Sequence, residues 1–432
     1  MSQQAGSTSS NEHVSAPVFN LNDARMSALE IRSSVILALL FALRMLGLFL
    51  ILPVFAIYAK TLAGGDQAWL VGLALGMYGL TNAIGQIPLG IASDKYGRRP
   101  VILVGLTVFA IGAVIAALSD TITWVIVGRA LQGSGAISAA ITAWIADATR
   151  EEHRTKAMAM VGGSIGLTFA LSMVAAPILF SAIGMKGIFL LTGVLPLLAI
   201  LVVMYMLPKV PKQTMPRVPL SEVVKNTDLM RLNFGVFALH FSQSAMFVVV
   251  PSALVHFADL PLAQHWKVYL PVVLVSFIGM LPLIYVAEKH GKIKAVFIAA
   301  ITLLLVVQCG FWEFLTQPVM LIALLFGFFL AFNVLEASQP SLVSRIAPPA
   351  AKGAALGIYN TIQSLGLFSG SLLGAWMSGH LGQTSVFVFS AFLCLAWLII
   401  AVNMKKIPGR PHKAAPAKSS SDTATATAAA SN

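Results

Sequence analysis

Charged side chains are scarce in this sequence. Only 10% of the 432 residues are Asp, Glu, Lys or Arg, whereas 58% are hydrophobic, and the mean hydropathy is +0.86. A soluble domain carries about 25% charged residues. Apolar runs of about 18 residues or more, each long enough to cross a bilayer as a helix, recur along the chain. The composition therefore excludes an ordinary soluble domain and predicts an all-α, multi-pass membrane protein.

Cysteine and the usual signatures of enzymes are also rare or missing. Cys309 and Cys394 both lie inside predicted membrane spans, so no disulfide framework is expected. The eight histidines show no metal-ligand spacing, and no glycine-rich phosphate loop joins a strand to a helix. We therefore expect no catalytic residues, no metal and no cofactor. A membrane-embedded enzyme and a non-transporting receptor remain minor alternatives.

Hydropathy and turn residues divide the chain into twelve predicted spans. They cover residues 34–58, 68–91, 100–118, 122–147, 156–182, 187–207, 232–256, 267–287, 294–314, 318–345, 353–379 and 384–404. The polar segment that precedes them lacks the charged start and short apolar core of a cleavable signal. The first span is therefore expected to direct membrane insertion itself.

The net charge of +12 is explained by topology. If the N-terminus is cytoplasmic, 23 of the 28 Lys and Arg residues fall in the tails, loops or linker on the same side. This asymmetry is the positive-inside rule. Both termini are therefore predicted to be cytoplasmic, and no nucleic-acid partner is needed to explain the basic charge.

A polar segment after the sixth span separates two halves. It holds four prolines and five basic residues between positions 208 and 231, a composition typical of a linker. The predicted organisation is a cytoplasmic tail at 1–33, a six-helix bundle at 34–208, a cytoplasmic linker at 209–231, a second six-helix bundle at 232–404, and a disordered cytoplasmic tail at 405–432.

The two halves share a short sequence repeat. IPLGIASDKYGRRP begins at residue 87, and LPLIYVAEKHGKIK begins at residue 281. Aligned without gaps, a proline, an acid, a lysine and a glycine coincide, and basic residues follow the glycine in both copies. Each copy closes the second span of its half. We interpret this as a parallel internal repeat, the layout of transporters built from two related bundles.

Three motifs resemble those of the major facilitator superfamily. The loop motif G-x-x-x-D-[RK]-x-G-R is matched by Gly90, Asp94, Lys95, Gly97 and Arg98. GRALQGSG, with Arg129, resembles the superfamily's fourth-helix motif. The glycine ladder from Gly162 resembles its fifth-helix antiporter motif, but ends in Ala176-Pro177 where the motif has Gly-Pro.

The resemblance extends over most of the chain. From about residue 40 to about residue 400 the sequence is very similar to a bacterial inner-membrane transporter of this superfamily. That transporter carries a small folded cytoplasmic domain after its last helix, where this chain has a tail rich in Ala, Ser and Thr. The resemblance implies twelve helices in two pseudo-symmetric bundles, a substrate path between them, and alternating access.

The loop motif has two interpretations. Its bases hold a tight loop in the cytoplasm, with Gly97 supplying the turn, but this does not explain Gly90 or Asp94. The resemblance implies a conformational latch that holds the cytoplasmic side shut in the outward-facing state. In that latch Gly90 allows close helix packing, Asp94 lies against the positive N-terminus of the helix that begins near Gly353, and Arg98 pairs with Asp147.

One acid lies well inside a predicted span. Glu336 is expected at a depth where a charge is expensive and by default marks a functional site. Desolvation disfavours the carboxylate and so favours uptake of a proton, as a proton-coupling acid requires. The alternative is a structural carboxyl group hydrogen-bonded to Asn333 or to another polar neighbour. Coupling or substrate contact is the favoured hypothesis.

Two arginines also lie within spans, and neither has an acid one helical turn away. Arg129 matches a motif whose arginine the resemblance associates with proton transfer; equally, it could bond backbone carbonyls and set helix packing. The sequence leaves three roles open for Arg44: helix packing, contact with an anionic group of the substrate, or balancing the charge of Glu336. We predict an electrostatic relationship between Arg44 and Glu336 across the two halves.

Other polar or flexible residues of the spans are weaker candidates. Asn360 and Gln363 are placed in the substrate and proton pathway with Asn333, and a wider set could face water: Asn82, Gln86, Trp144, His240 and Gln243. Polar residues in spans often only tie helices together, and His240 is expected too near the cytoplasm for a proton relay. Gly162, Gly166 and Pro177 form a predicted hinge in helix five, with close packing the favoured role.

The favoured function is a secondary active transporter that exports amphipathic small molecules in exchange for protons. The incomplete fifth-helix motif keeps a symporter or uniporter of a polar metabolite as the alternative. We expect a monomer in the bacterial inner membrane, with a small-molecule substrate, protons and the lipid bilayer as its only partners.

Overall fold

A computed structural model describes residues 25–207, 220–348 and 351–404, and within them the chain forms fourteen α-helices and no β-strand longer than an isolated bridge. The first half contains α1 (Ala28–Phe49), α2 (Leu52–Tyr58), α3 (Ala68–Tyr96), α4 (Arg98–Leu118), α5 (Ile122–Ser134), α6 (Ser138–Ala148) and α7 (Glu151–Tyr205). The second contains α8 (Leu220–Lys225), α9 (Thr227–Phe257), α10 (Trp266–Lys289), α11 (Ile293–Phe314), α12 (Pro318–Ile346), α13 (Lys352–His380) and α14 (Ser385–Val402). The all-α prediction is confirmed.

The helices account for all twelve predicted spans. Within the described ranges, nine helical stretches are long and apolar enough to cross a membrane. One of them, α7, contains the fifth and sixth predicted spans, because its helix breaks at Gly184, where φ is 66° and ψ is 179°. The fourth span is divided into α5 and α6, each too short alone, and the eleventh is α13, a helix of sufficient length that is rich in Gly and Ser.

Two boundaries differ from the prediction. The first helix begins at Ala28 rather than residue 34, because Ser27 and Glu30 form a capping box. Glu30 is buried and also accepts hydrogen bonds from the backbone and guanidinium of Arg150, at 2.8 Å and 3.1–3.2 Å. In the predicted linker, α8 forms and Asn226 caps α9. The rest of the linker, most of the N-terminal tail and the C-terminal tail lie outside the described residues.

The sequence repeat corresponds to a structural repeat. Gly97 follows α3 and Gly291 follows α10, and both have positive φ, 96° and 64° respectively, which favours glycine. The acid of each copy binds an arginine at 2.5 Å, Asp94 with Arg98 and Glu288 with Arg345. We call the end of the molecule that carries these two loops the motif end, and the other the opposite end.

Near the opposite end, the two bundles pack through a glycine stripe on α3. A Cβ atom at Gly72 would lie 2.4 Å from the Ser371 carbonyl oxygen, and one at Gly76 would lie 2.9 Å from the Phe368 carbonyl oxygen, both on α13. Next along the stripe, a Cβ at Gly79 would lie 2.6 Å from the Ser364 carbonyl oxygen. The α2–α9 contact and the contact of α7 with the turn Leu262–Gln264 lie at the same end. Only glycine permits this backbone-to-backbone approach.

The bundles diverge toward the motif end. On α13, no heavy atom lies within 4 Å of a Cβ built at Gly353 or Gly357. On α3, Gly90 continues the register of the glycine stripe, but a Cβ there would meet only the Ala139 methyl group of the first bundle and no atom of α13 within 4 Å. The chain therefore adopts a conformation that is closed at the opposite end and open at the motif end.

Two sets of glycines that were expected to pack closely do not do so in this conformation. Gly90 makes no unusually close contact, since a Cβ there would meet only the Ala139 methyl group at 3.5 Å. The fifth-helix ladder also does not pack closely: Gly162 has open space around it, and a Cβ at Gly166 would touch only the Phe277 ring at 3.9 Å. Pro177 lies inside the helix of the fifth span, before the break at Gly184 that separates the fifth and sixth spans, and the hinge in helix five stays a prediction.

Candidate functional site

Glu336 lies near the middle of α12 and faces two other helices of the second bundle. Its Oε1 atom lies 3.4 Å from the Gln363 amide nitrogen on α13, and its Oε2 atom lies 3.5 Å from Nε2 of His240 on α9. The Gln363 nitrogen lies 2.7 Å from the same His240 nitrogen. His240 is buried, and the Glu336 side chain is 24% exposed. The structure thus joins three polar side chains from three helices.

Asn333 is not the partner of Glu336, and Gln363 is the polar neighbour that bonds its carboxyl group instead. Asn333 is buried one turn earlier on α12, and its amide nitrogen donates to the Ser276 hydroxyl of α10 at 3.0 Å. Asn333 therefore ties α12 to α10 instead of satisfying the Glu336 carboxyl group. Asn360, also predicted in the pathway, is half-buried, and its carbonyl accepts from Ser364 at 2.9 Å.

Arg44 lies in the first bundle and is 1% exposed. Its guanidinium group donates to Ser138 at the start of α6 and to Asn82 of α3, and its Cζ atom lies 5.6 Å from the centre of the Tyr78 ring. These partners are neutral, so the cation is held by hydrogen bonds and by the face of an aromatic ring. A guanidinium group held in this way is costly to bury and indicates a functional role.

Arg129 shares the Tyr78 ring with Arg44. Its Cζ atom lies 4.9 Å from the ring centre, and it donates to the Gln132 side chain at 2.9 Å and to the Gly47 carbonyl at 3.3 Å. Its contacts match the helix-packing alternative, because they bind α5 to itself and to α1. Proton transfer by Arg129 stays a prediction.

A chain of hydrogen bonds connects the two bundles at the level of Arg44. Asn82 accepts from Arg44 and donates to the Ser364 hydroxyl of α13 at 2.8 Å. Ser364 is the neighbour in sequence of Gln363, which contacts Glu336. Among the described contacts, no direct ion pair joins Arg44 to Glu336. Their electrostatic relationship therefore stays a prediction.

An apolar layer of aromatic rings lies beside this polar site. Phe332, one turn before Glu336, has its ring centre 5.7 Å from that of His240 and 5.4 Å from that of Phe169 on α7. Phe169 also contacts Phe329 at 5.8 Å. Because α7 belongs to the first bundle and α12 to the second, these rings form a contact between the bundles next to the acid.

The loop motif forms an ion cluster at the motif end. Arg98 donates to Asp94 at 2.5 Å and to Asp147, at the end of α6, at 2.9 Å. The predicted Arg98–Asp147 pair is therefore present. Lys95 lies over the ring of Tyr96 at 5.2 Å. The placement of Asp94 against the start of α13 stays a prediction.

Sequence reasoning undervalued or missed several residues of the site. His240 was set aside because it was expected near the cytoplasm, but it is buried and faces Glu336 and Gln363. Tyr78, Ser138 and Ser364 were missed, because each is a common residue type in spans and gains a role only from its neighbours. Trp144, in contrast, is packed in the apolar core of the first bundle.

Sequence comparison places the chain among transport proteins. It matches the Major Facilitator Superfamily over residues 37–261 and 232–430. It is 42% identical to the inner membrane transport protein YajR of Escherichia coli over 90% of this chain and 86% of that protein. Over 37% of this chain and 40% of the relative, it is 32% identical to the class B tetracycline resistance protein of Escherichia coli.

Solved structures with the same fold include distant transporters. The chain resembles a bacterial homologue of the human lysosomal transporter Spinster in an inward-facing and occupied conformation, with a TM-score of 0.67 and 14% identity over 88% of this chain and 97% of that one. It also resembles the human organic anion transporter MFSD10 (TETRAN), with a TM-score of 0.65 and 19% identity over 87% of this chain and 100% of that one.

Proposed function

The chain belongs to the Major Facilitator Superfamily, and from this premise we propose that it is a proton-coupled antiporter that exports amphipathic small molecules by alternating access. It is a multi-pass membrane transporter and not an enzyme. The observation that carries the proposal is Glu336, an acid in the middle of a span, placed beside a second ionisable side chain and a contact between the bundles.

The proton is proposed as the coupling ion because of the chemistry of this site. A carboxyl group can bind a proton and become neutral, which lowers the free-energy cost of keeping it in the membrane interior. A permanently charged group has no neutral form. Protonation would therefore change the charge of the site by one unit, next to the Phe169–Phe332 contact between the bundles. Such a change is able to bias a two-state equilibrium between conformations.

The open motif end indicates from which side of the membrane the substrate reaches the site. Lys and Arg residues concentrate at this end, so we assign it to the cytoplasm, together with both termini. With that assignment the conformation is inward-facing: the glycine stripe of α3 closes the external side, and substrate enters from the cytoplasm. We also assign the protein to the inner membrane, in line with its likeness to the inner membrane transport protein YajR, and propose that it is a monomer.

Substrate class is the least constrained part of the proposal. The tetracycline resistance proteins are similar to only a part of the chain, at 29–37% identity over 35–37% of its length. They support export of an amphipathic compound. The end of the glycine ladder in Ala176-Pro177 favours the competing assignment as a symporter or uniporter of a polar metabolite.

Inverted membrane vesicles with an imposed proton gradient distinguish these functions. The vesicle interior is acidified, a pH-sensitive dye reports the gradient, and tetracycline is added first, followed by a panel of amphipathic antibiotics and dyes. We expect at least one of these compounds to collapse the gradient only in vesicles that contain the protein. Uptake of a polar metabolite without loss of the gradient would support a uniporter instead.

We propose the loop cluster of Asp94, Arg98 and Asp147 as a latch that closes the cytoplasmic side in the outward-facing state. Asp94→Asn removes the anion that is proposed to meet the positive N-terminus of α13 in the outward-facing state, and a charge-assisted hydrogen bond contributes about 1.5–3 kcal/mol. We therefore expect transport to fall about tenfold while the amount of protein in the membrane is unchanged. Asp66→Asn, at an exposed acid of the opposite end, is the matched control. Full transport activity of the Asp94→Asn variant would contradict the proposed latch.

A further inference from the structure

The contacts of His240 fix which of its nitrogens carries hydrogen. Its Nδ1 atom lies 3.0 Å from the Val236 carbonyl oxygen, which can only accept, so Nδ1 carries the hydrogen in the neutral ring. The other nitrogen, Nε2, is then a bare acceptor. It points toward Gln363 and Glu336, so the ring presents an unprotonated basic atom to a carboxyl group.

The side-chain amide of Gln363 donates hydrogen bonds to only some of the acceptor atoms of this site. Its nitrogen has two hydrogens, one directed to His240 Nε2 at 2.7 Å and one to Glu336 Oε1 at 3.4 Å. The remaining carboxyl oxygen, Oε2, is buried and has no hydrogen-bond partner, although His240 Nε2 lies 3.5 Å away. Two lone-pair atoms therefore face each other with no hydrogen between them, an arrangement that one proton completes.

The surroundings leave room for one added proton only. Tyr359 of α13, buried and with its hydroxyl unpartnered, is the other titratable group near Glu336. On the helices that pack against α9, α12 and α13, the described charged and histidine side chains lie near helix ends, apart from Arg44, which reaches the site through Asn82 and Ser364. With one proton the pair is either a neutral acid with a neutral ring or a mutually neutralising ion pair. A second proton would leave a buried imidazolium without its anion, which is costly.

We propose that His240 and Glu336 form a single proton-binding site in which one proton is shared between Nε2 and the carboxyl group, with Gln363 as the positioning residue that senses it. When Nε2 is protonated, the Gln363 amide nitrogen can no longer donate to it and must turn to present its oxygen. Gln363 adjoins Ser364, which binds Asn82 of the first bundle. Occupancy of the proton site is thereby connected to the contact between the bundles.

Transport of this proton rests on the proposed function, whereas its binding does not. The test is therefore proton uptake by the purified protein without substrate, measured with a pH dye as the pH is lowered stepwise. Four proteins are compared: wild type, His240→Gln, Glu336→Gln and the double variant. His256→Gln, at an exposed position near the end of the same helix, is the control.

A shared site predicts non-additive uptake. Uptake is expressed as the excess over the double variant. The wild type should then take up about one proton, and the excess uptakes of the two single variants, added together, should be larger than that of the wild type. Two additional protons in the wild type, one lost with each substitution, would show independent groups and overturn the proposal. Identical uptake by all four proteins would overturn it as well.

A second His240 variant and a separate transport assay distinguish failure of the shared proton site from misfolding and from failure of the antiport function. His240→Asn, a smaller replacement, is measured in parallel, and each variant must elute as the wild type does in size-exclusion chromatography. Vesicle transport is measured separately. If proton uptake is non-additive but no protons move during transport, the shared proton site is supported and the antiport function is rejected. Proton-coupled transport with independent uptake would retain antiport and reject the shared proton.

Discussion

Gly72→Val is expected to trap the protein in the conformation that is open at the opposite end and to reduce transport at least about fivefold. In the present conformation a Cβ at Gly72 would lie 2.4 Å from a carbonyl oxygen and 2.5 Å from the Ala375 methyl group of α13. Neither neighbour is the flexible end of a long side chain, so the two bundles must separate. Overpacking of this kind costs about 1–3 kcal/mol, which lowers the population of this conformation about 5- to 150-fold.

The measurement is the accessibility of engineered cysteines at both ends, in a Cys309→Ser background because the native Cys309 thiol is exposed. Labelling at the opposite end should increase and labelling at the motif end should decrease. Gly357→Val on α13 is the matched control, because a Cβ there meets no heavy atom within 4 Å in this conformation. Unchanged labelling in Gly72→Val would show that the glycine stripe does not govern closure.

Glu336→Gln is expected to abolish proton coupling. The substitution keeps the size of the side chain and an oxygen that can accept from Gln363, but the amide cannot bind and release a proton. Without the carboxyl group, the site has lost the charge change proposed to bias the conformational equilibrium. We expect proton movement driven by substrate to fall to the level of empty vesicles and the pH dependence of transport to disappear.

The control for this prediction is Glu313→Gln, which removes an exposed acid near the end of α11. Both variants are reconstituted at equal density, and proton and substrate fluxes are measured in the same vesicles. Residual substrate exchange in Glu336→Gln is consistent with the account, since binding and coupling are separate steps. A proton dependence identical to that of the wild type would assign coupling to another group.

The general architecture could be predicted from the sequence because membrane helices are specified locally. A span needs only enough consecutive apolar residues, and its orientation follows from the placement of Lys and Arg. The turns at Gly97 and Gly291 could be matched for the same reason, as both lie in a short motif. The helix boundaries were less accurate, because the Ser27–Glu30 capping box and the long-range Glu30–Arg150 pair extend α1 beyond its apolar run.

The partners within the site could not be predicted in the same way. Glu336 was identified because an acid inside a span is rare, but its partners, His240 and Gln363, come from two other helices. Their contact depends on helix rotation and tilt, which hydropathy does not encode. The same reason explains why Asn82 and Ser138, the partners of Arg44, were not predicted.

The glycines of α3 illustrate a different limit. Gly72, Gly76 and Gly79 carry no motif, and their spacing gains meaning only when α13 is placed against them. Gly90 and the fifth-helix ladder carry motifs but make no close contact in this conformation. A sequence records residues needed in every conformation of the cycle, whereas one structure shows the contacts of one conformation.

The central claim is that the two bundles open alternately at their two ends under the control of the Glu336 proton. Spin-label distances in liposomes test it directly, with one label pair at positions 96 and 352 at the motif end and another at 69 and 381 at the opposite end, all exposed. We predict that a pH change shortens one distance while lengthening the other, and that Glu336→Gln abolishes this response. Distances that stay fixed with pH, or that change in the same sense at both ends, would contradict the account.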